Sequence, residues 1–301
     1  MADRGLTIRE GNEAPTLARL TTLRLGGAVL GEVCLSEVAA ASALPDIARR
    51  FGGELVCLGA GSNILAGEGP LPLVVVRNAT PPEISVVAED SHAAVVRANA
   101  SVKLPVLLRH MAAEGLSGLE GLSGIPGTVG GAVAMNAGSY GQCIADTLAA
   151  LEIVTCAGEV KRFTRDALAF SYRAMTLPDV QGWWMVTAAE FRLDRKEPET
   201  VHAKGRECIA QKRATQPVTA ASAGCVFKNP SPENPAGKLL DAAGFKGKQL
   251  GGMAFSSIHA NFLVNEGTGT SREALALLEE AKEAVLAKFG IMLEPEVKLW
   301  V

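Results

Sequence analysis

Short apolar runs broken by glycine and proline, rather than long uniform stretches, set the elements this chain is expected to form. The run Val56-Cys57-Leu58 ends in Gly59-Ala60-Gly61-Ser62-Asn63, the pattern of a strand entering a tight turn. Residues 73–76 form a second strand rich in β-branched side chains, and Val95-Val96 marks a third. A helix is expected over 104–114, with Gly115 stopping it. Residues 151–155 and 160–163, joined through Ala157-Gly158, suit a hairpin, and 183–193 a longer strand. Helical periodicity then takes over. It predicts a polar, exposed helix over 199–214 and a short one over 238–243 with Gly244 as its C′ residue. A stronger helix is capped by Ser271 and ended by Gly290, with Leu275, Leu278, Val285 and Phe289 sharing a face. Strands and helices mix without strict alternation, which favours α+β over a doubly wound sheet.

Composition narrows the class. At about 150 residues per domain, 301 residues suggest two domains, or three if one is small. With 48% hydrophobic and 20% charged residues, a sizeable core is available and global disorder is excluded. The net charge is −3, and no stretch is basic enough to track a phosphate backbone, so nucleic acid is not an expected partner. The start Met1-Ala2-Asp3-Arg4-Gly5 lacks a signal peptide's apolar core, and no 18-residue apolar run suggests a membrane span. Six cysteines without a CxxC argue against a disulfide scaffold or zinc ribbon, and four histidines without HExxH spacing give no metal site. A cytoplasmic enzyme with reduced thiols is expected. Boundaries are expected near Gln216-Pro217 and within 78–82.

Two glycine-rich loops stand out. Gly59-Ala60-Gly61-Ser62-Asn63 lacks the GxGxxG dinucleotide fingerprint, because position 64 is Ile64. Its glycines nonetheless leave backbone N–H groups able to face an anion, with Ser62 and Asn63 as added donors. A plain strand-end turn explains this loop equally well. The second loop, residues 118–141, holds eight glycines with apolar residues threaded through it, so Ile125, Val129, Val133 and Met135 are expected to be buried. Such a rigid loop with little side-chain bulk lets a large planar or phosphorylated ligand touch the main chain.

The ordered set LGAGSNIL, GIPGTVGGAVAMNAGSYG, FSYR, GCVFKNP and LEPEV resembles the UDP-N-acetylenolpyruvoylglucosamine reductase (MurB) family, from about Thr22 to Lys298. The resemblance implies an α+β fold: a two-domain FAD-binding cradle of the vanillyl-alcohol-oxidase (PCMH-like) kind plus a smaller α+β substrate-binding domain. The implied ranges are 1–77 and 78–216 for the FAD-binding subdomains and 217–297 for substrate, with a strand at 298–301 returning to the first. FAD would be held by Gly59, Ala60, Gly61, Ser62, Asn63, Ile125, Pro126, Gly127, Thr128, Gly130, Gly131, Asn136 and Gly138. NADPH would reduce the flavin, and a UDP-sugar substrate would then receive hydride at C3 of its enolpyruvyl group. The enolate left behind must be stabilised and then protonated at C2.

That chemistry gives three residues roles. Fixed positive charge is needed at a developing enolate, and Arg173 supplies a guanidinium able to fork onto a carboxylate, although a surface ion pair is the commoner fate of an arginine. Glu296 corresponds by the resemblance to the family's catalytic glutamate. Glu294 competes with it, because a strand period would put both on one face. Cys225 stands where family members commonly carry serine, the expected proton donor. A thiol, with its ordinary pKa near 8.5, is the stronger acid and keeps that role if protonated at rest; the alternative is a small buried apolar residue. Tyr140, Arg213, Lys228, Asn229 and His259 correspond to substrate-binding positions, Lys228 being equally explicable as an exposed charge and His259 as a structural histidine. Thr215 replaces a residue that is often basic, leaving Arg213 as the diphosphate contact. Only 51 residues separate Arg173 from Cys225 and none is tyrosine, which implies the compact class without a tyrosine-bearing lid. A monomer is expected. The rival readings are another oxidase on the same cradle and a non-catalytic flavin or nucleotide module.

Overall fold

A computed structural model describes residues 5–301, which form two compact units assembled by contacts rather than by chain order. The first unit holds Leu30–Ala60, Pro72–Gln211 and the residues up to Ala14; the second holds Pro15–Val29, Gly61–Leu71 and Lys212–Val301. The expected 1–77 range is therefore divided between them, and the cause is hydrogen bonding far apart in sequence. Within the second unit Gly27 N donates to Gly67 O (2.7 Å), Gly67 N to Trp300 O (2.8 Å) and Thr22 Oγ1 to Ser222 O (2.6 Å). Lys298–Trp300 pairs in parallel with Ile64–Ala66, Lys298 opposite Ile64.

Two sheets of four or more strands, with two two-stranded hairpins, organise the first unit. The smaller orders its strands Leu6–Glu10, Val29–Leu35, Leu71–Asn78 and Glu54–Cys57. The helix Leu44–Phe51, with proline in its first turn, buries Leu44 and Ile47 in a core with Val33, Leu35, Val74 and Val76. The larger sheet is antiparallel and runs Val160–Thr164, Leu148–Thr155, Trp184–Arg195, Ala93–Asn99, Ile84–Glu89. Against it pack the helices Leu104–Ala113 and Val129–Ala134, which bury Leu104, Leu107, Met111, Val129 and Val133 with Val96, Ile153, Val186 and Phe191. Each such aliphatic contributes roughly 1.5–3 kcal/mol when fully buried. The strands expected at 73–76, 95–96, 151–155 and 160–163 lie inside observed ones, while those at 56–58 and 183–193 each overrun theirs by one residue, Leu58 and Trp183.

In the second unit the antiparallel order is Ala221–Cys225, Phe262–Asn265, Met253–Phe255, Gln249–Leu250. Phe227, Phe255 and Leu263 meet Leu240 of the helix Ala236–Ala242 and Leu277 and Leu278 of the helix Ser271–Phe289. Three expectations need correction. The long helix is capped by Thr270, not Ser271: Thr270 Oγ1 accepts from Glu273 N (3.2 Å), and the Glu273 carboxylate accepts from Thr270 N (2.9 Å). Its buried stripe is Ala274, Leu277, Leu278, Ala281 and Val285; Phe289 is exposed, because the last turn runs past the core. The helix Pro198–Thr215 is not wholly exposed either, since it buries Val201, Cys208 and Lys212.

The second glycine-rich loop is rigid because a buried carboxylate braces it. Glu120 accepts from Ser117 Oγ (2.6 Å), Gly118 N (2.8 Å) and Gln142 Nε2 (3.3 Å), while Gln142 Oε1 accepts from Gly121 N (2.5 Å). Burial pushes the Glu120 carboxyl up, but bonds from Ser117, Gly118, Gln142 and its own backbone outweigh this and hold it below its ordinary value. A depressed folded-state pKa stabilises the fold above the unfolded value, near 4.3, and the stabilisation is lost as pH falls through the folded value. Glu120→Gln is expected to lower the unfolding free energy by about 1.5–3 kcal/mol at neutral pH, with the gap to the parent narrowing below about pH 4. Urea unfolding at several pH values checks this; a gap independent of pH contradicts it.

Candidate active site

In the first unit the Glu54–Cys57 strand delivers Gly59 against the turn that starts the Val129–Ala134 helix. A Cβ on Gly59 would lie 2.7 Å from Thr128 Oγ1, so no side chain fits there. The N–H groups of Gly59 and Ala60 meet no acceptor among the described residues. Three later N–H groups are already used inside the unit: Val129 donates to Val102 O, Gly130 to Ala100 O and Gly131 to Thr128 Oγ1. What this turn offers a ligand is therefore bare backbone surface braced from behind, beside donors at Gly59 and Ala60. Val129 and Val133 are buried as expected, whereas Ile125 and Met135 are half-buried. A bare cradle with unclaimed amide donors fits the diphosphate of FAD.

Two hairpins follow, and three non-glycine residues adopt the left-handed region: Asn136 (φ 41°) just past the Val129–Ala134 helix, and Tyr140 (φ 50°) and Arg173 (φ 57°) in the hairpin turns. Such strain costs on the order of 1–3 kcal/mol per residue and persists only where neighbours impose it. Here they do. Arg173 Nη1 donates to Gly138 O (2.7 Å), tying the Tyr172-Arg173 turn to the strand that leads into Tyr140. Asn136 Nδ2 donates to Ser171 O (3.1 Å) while its Oδ1 accepts from Ala145 N (3.0 Å). Asn136, Gly138, Tyr140 and Arg173 are thus brought together within one unit, with Tyr140 exposed and the Arg173 guanidinium over the Tyr172 ring at 5.3 Å.

The chain passes into the second unit between Ala60 and Gly61. Gly61 has φ 66°, and a Cβ on it would strike Leu20 O at 2.1 Å, which explains the glycine. Next to it, Asn63 Nδ2 donates to Glu296 O (3.2 Å) and Asn63 O accepts from Lys298 N (3.0 Å). Glu296 N donates to Val226 O (2.8 Å), and Lys228 N to Glu294 O (2.9 Å). The segments carrying Cys225 and Glu296 are therefore laced together, both residues half-buried. Only Pro295 makes a bridge here, so the strand period expected to align Glu294 with Glu296 does not apply. Glu294 is exposed and pairs with Lys228 Nζ (3.1 Å).

The remaining candidates of this unit differ in setting. Asn229 Oδ1 accepts from Ala236 N (3.0 Å) at the start of the Ala236–Ala242 helix, and Arg213 is exposed. His259 Nδ1 accepts from Asn261 N (3.2 Å), its ring lies edge-on to Phe262, and burial pushes its pKa down. Sequence reasoning missed Lys212, buried on the spacing Val201, Cys208, Lys212, and Asn261, buried in an otherwise apolar run. A cavity of about 270 Å³ between the helices Leu104–Ala113 and Pro198–Thr215 contains none of the expected site residues.

Comparison with known proteins agrees with this geometry. Residues 29–164 match a family model described as FAD binding domain, and residues 216–300 the C-terminal domain of UDP-N-acetylenolpyruvoylglucosamine reductase. The reductase of that name from Nitratidesulfovibrio vulgaris is 47% identical over 95% of this chain and 97% of its own. Its counterpart from Oleidesulfovibrio alaskensis is 48% identical over 95% and 96%. The crystal structure of the Thermus caldophilus enzyme superposes with a TM-score of 0.80 at 32% identity, covering 98% of this chain and 100% of that one. The chain belongs to the UDP-N-acetylenolpyruvoylglucosamine reductase family.

Proposed function

We propose that this chain reduces the enolpyruvyl ether of UDP-N-acetylglucosamine to UDP-N-acetylmuramate, a step in peptidoglycan precursor synthesis, with NADPH as the reductant. The observation that carries the reading is the Glu296 N–H to Val226 C=O bond, which sets the carboxyl-bearing residue one peptide from the thiol-bearing Cys225. It occurs in a chain that reductases of this name match almost end to end. Bound FAD supplies the hydride, taken from NADPH and delivered to C3 of the enolpyruvyl group.

The diphosphate of FAD is assigned to Gly59, Ala60, Gly61, Ser62 and Asn63, and its neighbouring groups to the turn Ile125, Pro126, Gly127, Thr128, Gly130 and Gly131, with Asn136 and Gly138. Hydride addition at C3 pushes an electron pair through C2 onto the substrate carboxylate. Arg173, already oriented by Gly138, offers a permanent cation to that enolate. Glu296 hydrogen-bonds it. Cys225 Sγ–H gives its proton to C2, and the thiolate recovers a proton from solvent. Tyr140, Arg213, Lys228, Asn229 and His259 hold the UDP-sugar, and the protein works as a cytoplasmic monomer of the compact class. No helix among the described residues is long and apolar enough to cross a membrane.

Two outcomes follow for enzyme loaded with FAD and studied by stopped flow. Cys225→Ser retains oxidation of the NADPH-reduced enzyme by substrate, whereas Cys225→Ala slows that half-reaction by about 10²–10⁴-fold and leaves bleaching by NADPH unchanged. Undiminished product formation in Cys225→Ala would remove the thiol from the mechanism. Arg173→Lys keeps a point charge without the fork and is expected to lose about 10-fold in the same half-reaction; Arg173→Ala loses on the order of 10²–10³-fold. Equal losses in both half-reactions would instead mark Arg173 as a purely structural brace.

A further inference from the structure

We infer that Asn261 is a positioning residue for Cys225, acting as a substitute strand partner for the peptide that follows it. This inference rests on the proton-donor reading of Cys225. The strand Ala221–Cys225 pairs with Phe262–Asn265, but the register slips between Ser222 and Cys225, and Gly224 takes φ 77°. A bulge of this kind re-aims the side chain beside it. It also ends the regular ladder, because past Cys225 the partner strand no longer presents peptides in step.

Asn261 fills that gap. Val226 N donates to the Asn261 carbonyl (2.9 Å). Phe227 N donates to Asn261 Oδ1 (3.0 Å), and Asn261 Nδ2 donates to Phe227 O (2.8 Å). A side-chain amide has the donor and acceptor of a backbone peptide, so this pair reproduces one rung of an antiparallel ladder. Asn261 is 1% exposed and Phe227 fully buried, so water cannot replace either bond. On the opposite side Val226 O accepts from Glu296 N (2.8 Å). The Cys225-Val226-Phe227 segment is thereby clamped between Asn261 and the Glu296 segment, and the clamp fixes where the Cys225 thiol stands relative to the Glu296 backbone. A shorter side chain at 261 loses the two-point contact and lets the thiol drift.

The test uses the FAD-loaded enzyme with Asn261→Ala and Asn261→Ser, each in the parent and in a Cys225→Ala background. Oxidation of the NADPH-reduced enzyme by the enolpyruvyl sugar nucleotide is expected to slow on the order of 10²-fold in the parent background, since small misplacements of a reacting group have that effect. Bleaching by NADPH stays within about twofold, and in Cys225→Ala the added substitution changes the rate by less than about threefold. Equal slowing in both backgrounds, equal slowing of both half-reactions, or no slowing at all would overturn the inference. Alkylation of Cys225 by iodoacetamide, followed by peptide mass spectrometry, gives a readout apart from turnover. If Cys225→Ala itself leaves the sugar half-reaction undiminished, the proton-donor reading fails, and the alkylation rate alone judges the clamp. A change of roughly threefold or more in Asn261→Ser supports it; an unchanged rate overturns it.

Discussion

A backbone stripped of side chains holds a shape only if its own N–H and C=O groups are committed elsewhere, and this constraint governs both units. The eight glycines of the 118–141 loop contribute no side-chain packing to hold its shape. Instead Glu120 and Gln142 gather its amides, and the first N–H groups of the Val129–Ala134 helix are spent on Ala100, Val102 and Thr128. The bare surface that remains is a mould rather than a hinge. Placing a buried carboxylate there is affordable only because four donors surround it.

The same logic recurs where the chemistry is expected. In the second unit the Glu296 N–H bond to Val226 O, the Asn63 amide on Glu296 O and the Asn261 amide on Phe227 O hold the segments that carry Cys225 and Glu296. In the first unit the Arg173–Gly138 bond and the Asn136 amide hold two hairpin turns in conformations that tyrosine and arginine ordinarily avoid. Strain concentrated at these turns and stiffness in the surrounding backbone are two sides of one arrangement.

Much of this was legible from the order of residues. Local signals such as Gly115 after an apolar helix, Gly158 in a hairpin and Gly244 after a short helix mark true element ends, since each has positive φ where predicted. Thr270 was missed as a cap because Ser271 is an equally good capping residue, and only the reciprocal bond with Glu273 chooses between them. The division of 1–77 between two units was beyond reach: it depends on pairings such as Gly67 with Trp300, which no local pattern encodes. Lys212 was hidden for another reason. Its neighbours make the helix look polar all round, although the 201, 208, 212 spacing marks the buried stripe. Asn261 carries a weak signal, one polar residue in an apolar run, whose meaning appears only when its amide is seen to serve Phe227.

The central claim is that these braced loops hold a flavin that passes electrons from NADPH to an enolpyruvyl sugar. The visible spectrum of the purified protein, followed anaerobically, tests it most directly. The account predicts a yellow chromophore that NADPH bleaches and the UDP-sugar enolpyruvate restores in stoichiometric amount. A colourless protein that releases no flavin on denaturation, or a reduced flavin reoxidised by oxygen but not by the sugar nucleotide, would contradict it.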